Sequence, residues 1–306
     1  MKIQRLVVDG YRGLADKSFD LREKSGGRPH DVVIVTGLPG SGKTRFLEAI
    51  TAAKEDIAPW GPRPAPGDQI RQGETAAKIT IDWRLDEDLC QQFGADPAGM
   101  TSETIFSQNE LVPRRYDERL TASLHRYDHD PAHGKIEYFH DDRTLARGTL
   151  VMPPLDIGGH KRIRLSAELR KYAYVERTML DICLGYHSDE GKDALQTQLD
   201  RFGVKRKILG VKRTPNGPQL YFEGELELSQ LSAMERQAAI FATTAVAIGL
   251  SNSIVLVDTP ELHVPDDLAA AFARAVLALG TNNQVFLATG SRSVINSFPE
   301  ACVVSL

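Results

Sequence analysis

The sequence predicts an α/β protein with a mixed central sheet, an antiparallel β lobe and a small helical lobe. First, the β-branched run DVVIVTG (31–37) leads through a glycine-rich loop into a helix-forming segment. Second, the last third of the chain alternates buried-strand runs with helical runs, which is typical of a parallel sheet. Third, segments between these two parts alternate polar and apolar residues, which favours antiparallel strands.

The composition is that of an ordinary globular protein. The 306 residues are 42% hydrophobic and 25% charged, and the net charge of −4 argues against a generally basic nucleic-acid coat. Cys90, Cys183 and Cys302 are scattered, which suits a reducing compartment and provides neither a zinc site nor a disulfide framework. The first residues lack the apolar core of a signal peptide, and no apolar run reaches the roughly 18 residues of a membrane span. We therefore expect a cytoplasmic protein without membrane contact.

The N-terminal elements follow in a simple order. Residues 2–11 alternate as a strand, and 17–23 match an antiparallel partner. The run at 31–37 has the continuous apolar character of a strand buried on both faces. Residues 45–56 have helical spacing, whereas 57–69 hold four prolines and two glycines and predict a loop without regular structure.

The middle of the chain predicts strands and one helical insertion. Residues 76–85 alternate cleanly as a strand. LHRYDHDPAHGKIEYFH (124–140) predicts a hairpin that turns at DPAHG, and 206–228 predicts a second hairpin that turns at TPNGP. Residues 165–202 have helix-forming composition.

The C-terminal part alternates helices and buried strands. Residues 232–250 and 265–280 predict helices, and 253–258, 283–291 and 301–306 predict strands. We expect one domain over 1–306, with a core from 1–60 and 225–306, an antiparallel lobe over 75–150 and a helical insertion over 160–205.

A phosphate-binding loop is the strongest motif in the chain. GLPGSGKT (37–44) fits GxxxxGK[ST] in full. Its glycines allow successive backbone N–H groups to surround phosphates, Lys43 would contact the β- and γ-phosphate oxygens, and the Thr44 hydroxyl would bind Mg²⁺. The following helix directs its positive end at the same phosphates. The predicted nucleotide-binding residues here are Gly37, Pro39, Gly40, Ser41, Gly42, Lys43, Thr44 and Arg45.

A second motif ends the strand at 253–258. Four apolar residues lead to Asp258, as expected for a carboxylate beside the Mg²⁺ of a nucleotide. The wide separation of Lys43 from Asp258 and the lack of an NKxD motif argue against small kinases and GTPases. A lobe inserted between the two motifs explains the separation.

Four stretches together resemble the ABC-type ATPase heads of the SMC, RecF and OLD group. MKIQRLVVDGYRGLADKSFDL (1–21) is similar to the first strands and Arg-Gly turn of that group, and QIRQGETAAKITIDWRL (69–85) to its IR-x-G strand. LSQLSAMERQ (228–237) resembles its signature loop, and VLVDTPELHVP (255–265) its Walker B run. The resemblance is to short members without a coiled coil or nuclease domain, and it implies a P-loop ABC-type head.

The resemblance implies that two copies enclose ATP, with the phosphate loop of one copy facing the signature loop of the other. Ser232 would then contact the γ-phosphate across the interface. Ser232 can equally be a helix N-cap with Glu235 completing a capping box, and the two roles are compatible. The resemblance also suggests that Arg12 lies near the nucleotide and that Gln108 senses Mg²⁺ beside Thr44 and Asp258. Equally, Arg12 could have only a structural role in its turn, and Gln108 could be an ordinary residue of a surface loop.

Three departures from the family pattern surround the γ-phosphate. Thr259 stands where a glutamate usually activates water, and threonine is a poor general base. Gly290 replaces a histidine. Ala233 and Met234 replace glycines, and their side chains would crowd the phosphate. These changes predict retained ATP binding with slow hydrolysis.

The alternative is that Glu261 restores a competent ATPase, although the family pattern already has a glutamate at that position. The catalytic candidates are therefore Glu261, Thr259 and Lys43.

Partners are predicted only in outline. An ATP-sandwiched homodimer is expected, a separately encoded effector protein is implied by the resemblance, and DNA is possible. Eight basic residues could meet DNA phosphates or could simply be solvated: Lys161, Arg162, Arg164, Lys205, Arg206, Lys207, Lys212 and Arg213. The alternative function is a non-catalytic scaffold in which bound ATP only controls assembly.

Overall fold

A computed structural model describes residues 1–24, 27–85, 90–92, 94, 99–109, 112, 114, 116–145, 155–186, 190–215 and 217–306. Within these ranges, no helix has both the length and the apolar character that crossing a bilayer requires.

A parallel sheet of five strands forms the centre of the fold. Its strands lie in the order β11-β3-β10-β9-β6, and every pair of neighbours is parallel. The strands are β3 (Val32–Thr36), β6 (Ile136–Phe139), β9 (Ile254–Asp258), β10 (Gln284–Ala288) and β11 (Cys302–Ser305). Because all five run in one direction, their carboxyl ends meet at one edge of the sheet.

An antiparallel sheet of four strands stands beside it, in the order β2-β1-β4-β5. Its strands are β1 (Lys2–Asp9), β2 (Lys17–Asp20), β4 (Ala76–Arg84) and β5 (Met100–Ser107). A separate hairpin pairs β7 (Ile208–Thr214) with β8 (Gly217–Phe222), as the sequence predicted. Parallel and antiparallel strands therefore occupy different sheets of one mixed α/β fold, and the predicted fold class is confirmed.

Nine α-helices have both of their ends within the described residues. They are α1 (Lys43–Ile57), α2 (Pro66–Gln69), α3 (Glu118–His125), α4 (Ile157–Ile163), α5 (Val175–Cys183), α6 (Gly191–Arg201), α7 (Ala233–Ile248), α8 (Asp266–Leu277) and α9 (Arg292–Asn296). Short 3₁₀ turns cover Leu169–Tyr174 and Leu228–Gln230. The helical insertion predicted over 165–202 is present as the first of these turns with α5 and α6.

The predicted hairpin over 124–140 is wrong. Leu124 and His125 end helix α3, and β6 pairs in parallel with β9 instead of with a preceding strand. All four residues of β6 are buried, because this strand belongs to the central sheet and not to the antiparallel lobe. The loop predicted over 57–69 also contains one regular element, the single helical turn α2, which starts with Pro66 at a position where proline needs no N–H partner.

Helix α1 packs between the two sheets. The ring of Phe46 lies 5.1 Å from Phe19 in β2 and 6.3 Å from Phe286 in β10. Successive residues of β9 face opposite sides, so that Ile254 and Leu256 join the core around α1 while Val255 and Val257 join the core around α7 and α8. The sheet is thus buried on both faces, which holds its carboxyl edge rigidly in place.

Candidate functional site

Three strand ends come together at the carboxyl edge of the central sheet. In the strand register, Asp258 of β9 pairs with Ala288 of β10, which in turn pairs with Val35 of β3. The ladder continues beyond the strands, because the N–H of Thr289 donates to Val35 and the N–H of Thr259 donates to Ala288. The phosphate loop, the residues after Asp258 and the residues after Ala288 are therefore neighbours.

The phosphate loop has a backbone that only glycine suits. Gly40 and Gly42 have φ of +81° and +100°. A Cβ on Gly42 would lie 2.9 Å from the carbonyl oxygen of Gly13, because the Arg-Gly turn packs against the start of α1. The ammonium group of Lys43 donates to the carbonyl oxygens of Gly37 (3.0 Å) and Leu38 (3.1 Å), so it lies over the loop that would hold phosphates.

Thr44 and Asp258 lie next to each other. Burial raises the pKa of Asp258 above its usual value, and the neighbouring Thr44 hydroxyl opposes this effect. Within the described part of the chain, the buried Oδ2 of Asp258 accepts no hydrogen bond. A carboxylate oxygen without a partner beside a hydroxyl group fits Mg²⁺, which prefers oxygen ligands. Ser41 adds a buried hydroxyl group that likewise has no partner among the described residues.

The turn after Asp258 is unusual. Thr259 has φ of +50°, a conformation that is rare for β-branched residues, and its hydroxyl donates to Oδ1 of Asp258 at 3.3 Å. Glu261 is half-buried, and its Oε1 accepts a 2.7 Å hydrogen bond from the hydroxyl of Thr289. A Cβ on Gly290 would meet no heavy atom within 4 Å, so the missing histidine is a difference of sequence and not of available space.

Arg143 is a residue that the sequence interpretation missed. Its side chain is fully buried and donates to the main-chain oxygens of Asp258 (2.5 Å) and Thr259 (2.7 Å). Its Nε donates to Oε1 of Gln237 on α7, and the amide of Gln237 donates back to the carbonyl of Arg143 at 2.7 Å. No known motif includes this arginine, which follows β6 in the stretch HDDR, so no sequence signal could have identified it.

The helix that follows the signature loop begins as predicted. Ser232 caps α7 by accepting from the N–H of Glu235, and Glu235 accepts from the N–H of Ser232 at 2.8 Å, which completes the capping box. Ser232 is nevertheless exposed at the helix start. Met234 is partly buried against the core around α7, and the expectation that side chains at 233 and 234 crowd a phosphate stays a prediction.

Two predicted arginines converge over α1. Arg12 and Arg45 both face Glu48, the former with an N···O separation of 3.9 Å and the latter through a hydrogen bond. Gln108 is exposed directly after β5, and no hydrogen bond joins it to Thr44 or Asp258 in the described residues. The structure thus places both arginines beside the phosphate loop and leaves Gln108 as a prediction.

The eight basic residues do not form one free surface. Arg164 is buried with its guanidinium 3.4 Å from Glu137, so its predicted exposure is wrong. Lys207 faces Asp200 at 2.9 Å, and Lys212 faces Glu225 at 2.8 Å. Nearby acids therefore neutralise part of the charge that was expected to meet DNA.

No protein-family model and no curated protein sequence matches this chain. Among solved structures, it is similar to an SMC head bound to the C-winged helix domain of ScpA, at 16% identity over 96% of this chain and 92% of that chain, with a TM-score of 0.56. It is also similar to an SMC head with an extended coiled coil from Pyrococcus furiosus bound to the C-terminal domain of ScpA, at 13% identity over 96% and 91%, with a TM-score of 0.52. A RecF recombination mediator with ATP is 12% identical over 95% and 94%, with a TM-score of 0.48. The chain has the ABC-type head fold of the SMC proteins.

Proposed function

We propose that this chain binds ATP with Mg²⁺, dimerises around the nucleotide and hydrolyses it slowly, so that it acts as a switch for a separate partner. The observation that carries the proposal is the strand register, which brings the phosphate loop after β3 and Asp258 at the end of β9 to one edge of the central sheet. The free Oδ2 of Asp258 supports a metal ion in the same place.

The chemistry assigned to each residue follows from its position. Lys43 and the loop N–H groups would neutralise the phosphates, while Thr44 and Asp258 would hold Mg²⁺. The bound metal would add positive charge against the phosphate oxygens during hydrolysis. Glu261 is the carboxylate of the turn that would accept a proton from the attacking water, because Thr259 cannot act as a base near neutral pH.

The dimer is supported by the start of α7. The capping box uses the N–H groups of Ser232 and Glu235, and the N–H groups of Ala233 and Met234 lie beside the exposed Ser232 in the same first turn. This arrangement is suited to a phosphate group of ATP bound by a second copy. Two of the similar SMC heads are bound to ScpA, and we propose by analogy that a separately encoded protein is the partner of this chain. A DNA partner is less well supported, because acids face several of the basic residues.

A non-catalytic scaffold is the second candidate. It is favoured by Thr259 in place of a glutamate and by the hydrogen bond that engages Glu261 with Thr289. Under this alternative ATP would bind and promote assembly, and no phosphate would be released.

The test combines size-exclusion chromatography, with and without ATP and Mg²⁺, and a phosphate-release assay. We expect ATP to convert monomer into dimer, and we expect slow release that Lys43→Ala abolishes together with ATP binding. Assembly without release would support the scaffold instead. Absence of ATP binding by the unmodified protein would overturn both functions.

A further inference from the structure

Arg143 is a buried cation whose hydrogen-bond partners are all neutral. Its side chain has no exposed surface, and among the described residues its guanidinium forms no ion pair. It donates to the carbonyl oxygens of Phe139, His140, Asp258 and Thr259, and to Gln237. Burying a charge without a carboxylate partner is costly, so a purely stabilising role is a poor explanation of this residue.

The contacts of Arg143 concentrate on the turn after Asp258. Thr259 occupies a left-handed conformation that is unfavourable for a β-branched side chain by roughly 1–3 kcal/mol, and such strain persists only when the surroundings impose it. The planar guanidinium holds the two successive carbonyl groups of Asp258 and Thr259 with two of its nitrogen atoms. A fork of fixed geometry can set the path of a turn in a way that a single point contact cannot.

The charge of Arg143 also lies beside two incompletely paired carboxylates. Oδ2 of Asp258 and Oε2 of Glu261 are buried and accept no hydrogen bond from the described residues. Both carboxylates interact electrostatically with Arg143. The positive charge of Arg143 therefore lies near two carboxylates that each keep one oxygen available.

A further contact connects Arg143 to the helix that begins at Ser232. Gln237 is 2% exposed and lies in the second turn of α7, where it exchanges two hydrogen bonds with Arg143. The reciprocal pair fixes α7 relative to the turn after Asp258. The helix start that would face a second copy and the carboxylate that would hold a metal thus share one rigid support.

We propose that Arg143 is a positioning residue that holds the Asp258–Thr259 turn in the geometry needed for Mg²⁺, with Gln237 fixing Arg143 to α7. The inference rests on the proposed function, since it assigns a support to that same site. Arg143 touches neither nucleotide nor metal in this proposal; it acts through the main chain of Asp258. Residues that orient a metal ligand typically change metal affinity by about 10- to 100-fold when they are replaced.

The test measures the affinity for a fluorescent ATP analogue in EDTA and across a Mg²⁺ titration. Arg143→Met should leave affinity in EDTA within about twofold of the unmodified protein and raise the Mg²⁺ concentration for half-maximal enhancement by about tenfold or more. Arg143→Lys should give a smaller shift, because an ammonium group can satisfy one carbonyl but not the fork. Gln237→Met should also give a smaller shift, because Arg143 retains its contacts with the turn.

Arg164→Met is the matched control. Arg164 is also a buried arginine, but its partner is Glu137 and no described contact joins it to the turn. Thermal unfolding should show a loss of stability in both methionine variants, whereas only Arg143→Met should change the Mg²⁺ requirement. If Arg143→Met does not fold, Arg143→Lys and Gln237→Met carry the test.

Two results overturn the proposal and leave the proposed function intact: an unchanged Mg²⁺ requirement in the Arg143 and Gln237 variants, or equal shifts in Arg143→Met and Arg164→Met. An unmodified protein that binds no ATP analogue would overturn the proposed function as well.

Discussion

The hydroxyl group of Thr289 donates a 2.7 Å hydrogen bond to Oε1 of Glu261, which links the end of β10 to the turn that follows β9. The second carboxylate oxygen of Glu261, Oε2, is buried and accepts no hydrogen bond from the described residues. One oxygen is therefore oriented while the other can accept a proton.

We predict that Glu261→Gln lowers phosphate release by about 10²- to 10⁴-fold without weakening ATP binding, because an amide cannot act as a general base. Thr289→Val should cause a smaller fall, since the carboxylate remains but loses its orienting donor. Single-turnover assays and nucleotide titrations would measure both effects. Unchanged release in Glu261→Gln would show that Glu261 has only a structural role.

Thr259→Glu should have the opposite effect. It places a carboxylate directly after the Mg²⁺-binding Asp258, and we expect release to rise by about 10²-fold. Steady-state phosphate release at saturating ATP would measure the gain, and Thr259→Gln is the control that matches the size without the base. Equal rates in the two variants would contradict our explanation of slow hydrolysis.

The two roles proposed for Ser232 can be separated by substitution. Asp and Asn cap helices about as well as Ser, so Ser232→Asp and Ser232→Asn should retain stability. Ser232→Ala should lower the free energy of unfolding by about 0.5–2 kcal/mol. Ser232→Asp should abolish the ATP-dependent dimer because its charge repels phosphate, and Ser232→Asn should dimerise. Urea unfolding and size-exclusion chromatography with ATP would test this pair, and dimerisation of Ser232→Asp would leave only the capping role.

The phosphate loop allows a matched pair of glycine substitutions. Gly40 and Gly42 both have left-handed φ, but an added Cβ meets nothing at Gly40 and lies 2.9 Å from the Gly13 carbonyl oxygen at Gly42. We predict that Gly40→Ala lowers the free energy of unfolding by about 1 kcal/mol. Gly42→Ala should lower it by about 1–3 kcal/mol more and should abolish ATP binding. Urea unfolding and ATP titration would compare them, and equal losses would mean that the contact with Gly13 is unimportant.

The buried His140 predicts acid sensitivity. Burial, followed by the nearby Lys171 and Arg143, lowers the pKa of His140 to about 4 from 6.5. Between these values the unfolded chain binds a proton that the folded chain does not, so stability present above pH 6.5 is lost as the pH falls toward 4. The loss attributable to His140 is on the order of 3 kcal/mol.

His140→Asn is the variant that isolates this effect. Its side-chain oxygen can still accept from the N–H of Asp142, which donates to His140 at 3.2 Å. Urea unfolding from pH 4 to 8 would give the free energy of unfolding of both proteins. We expect their difference to be constant above pH 7 and the variant to become relatively more stable as the pH falls. A parallel pH dependence in both would contradict the assignment to His140.

Local patterns were sufficient for most of the elements. The phosphate loop, the buried strand before Asp258, the capping box at Ser232 and the hairpin of β7 and β8 depend on neighbouring residues, and the structure has each of them. The segment 124–140 failed because alternation does not report which strand will be the partner. The direction and register of β6 depend on β9, which is distant along the chain.

The sequence by itself determined that this protein has a phosphate loop, an Asp258 at the end of a buried strand and no glutamate at position 259. The tertiary structure decided which groups meet there: Thr44 with Asp258, Thr289 with Glu261, and the buried Arg143 with Gln237 and the turn. The reason is physical. A motif of consecutive residues is set by short-range backbone preferences, whereas these contacts exist only once distant strands align in one sheet and water is excluded from between them.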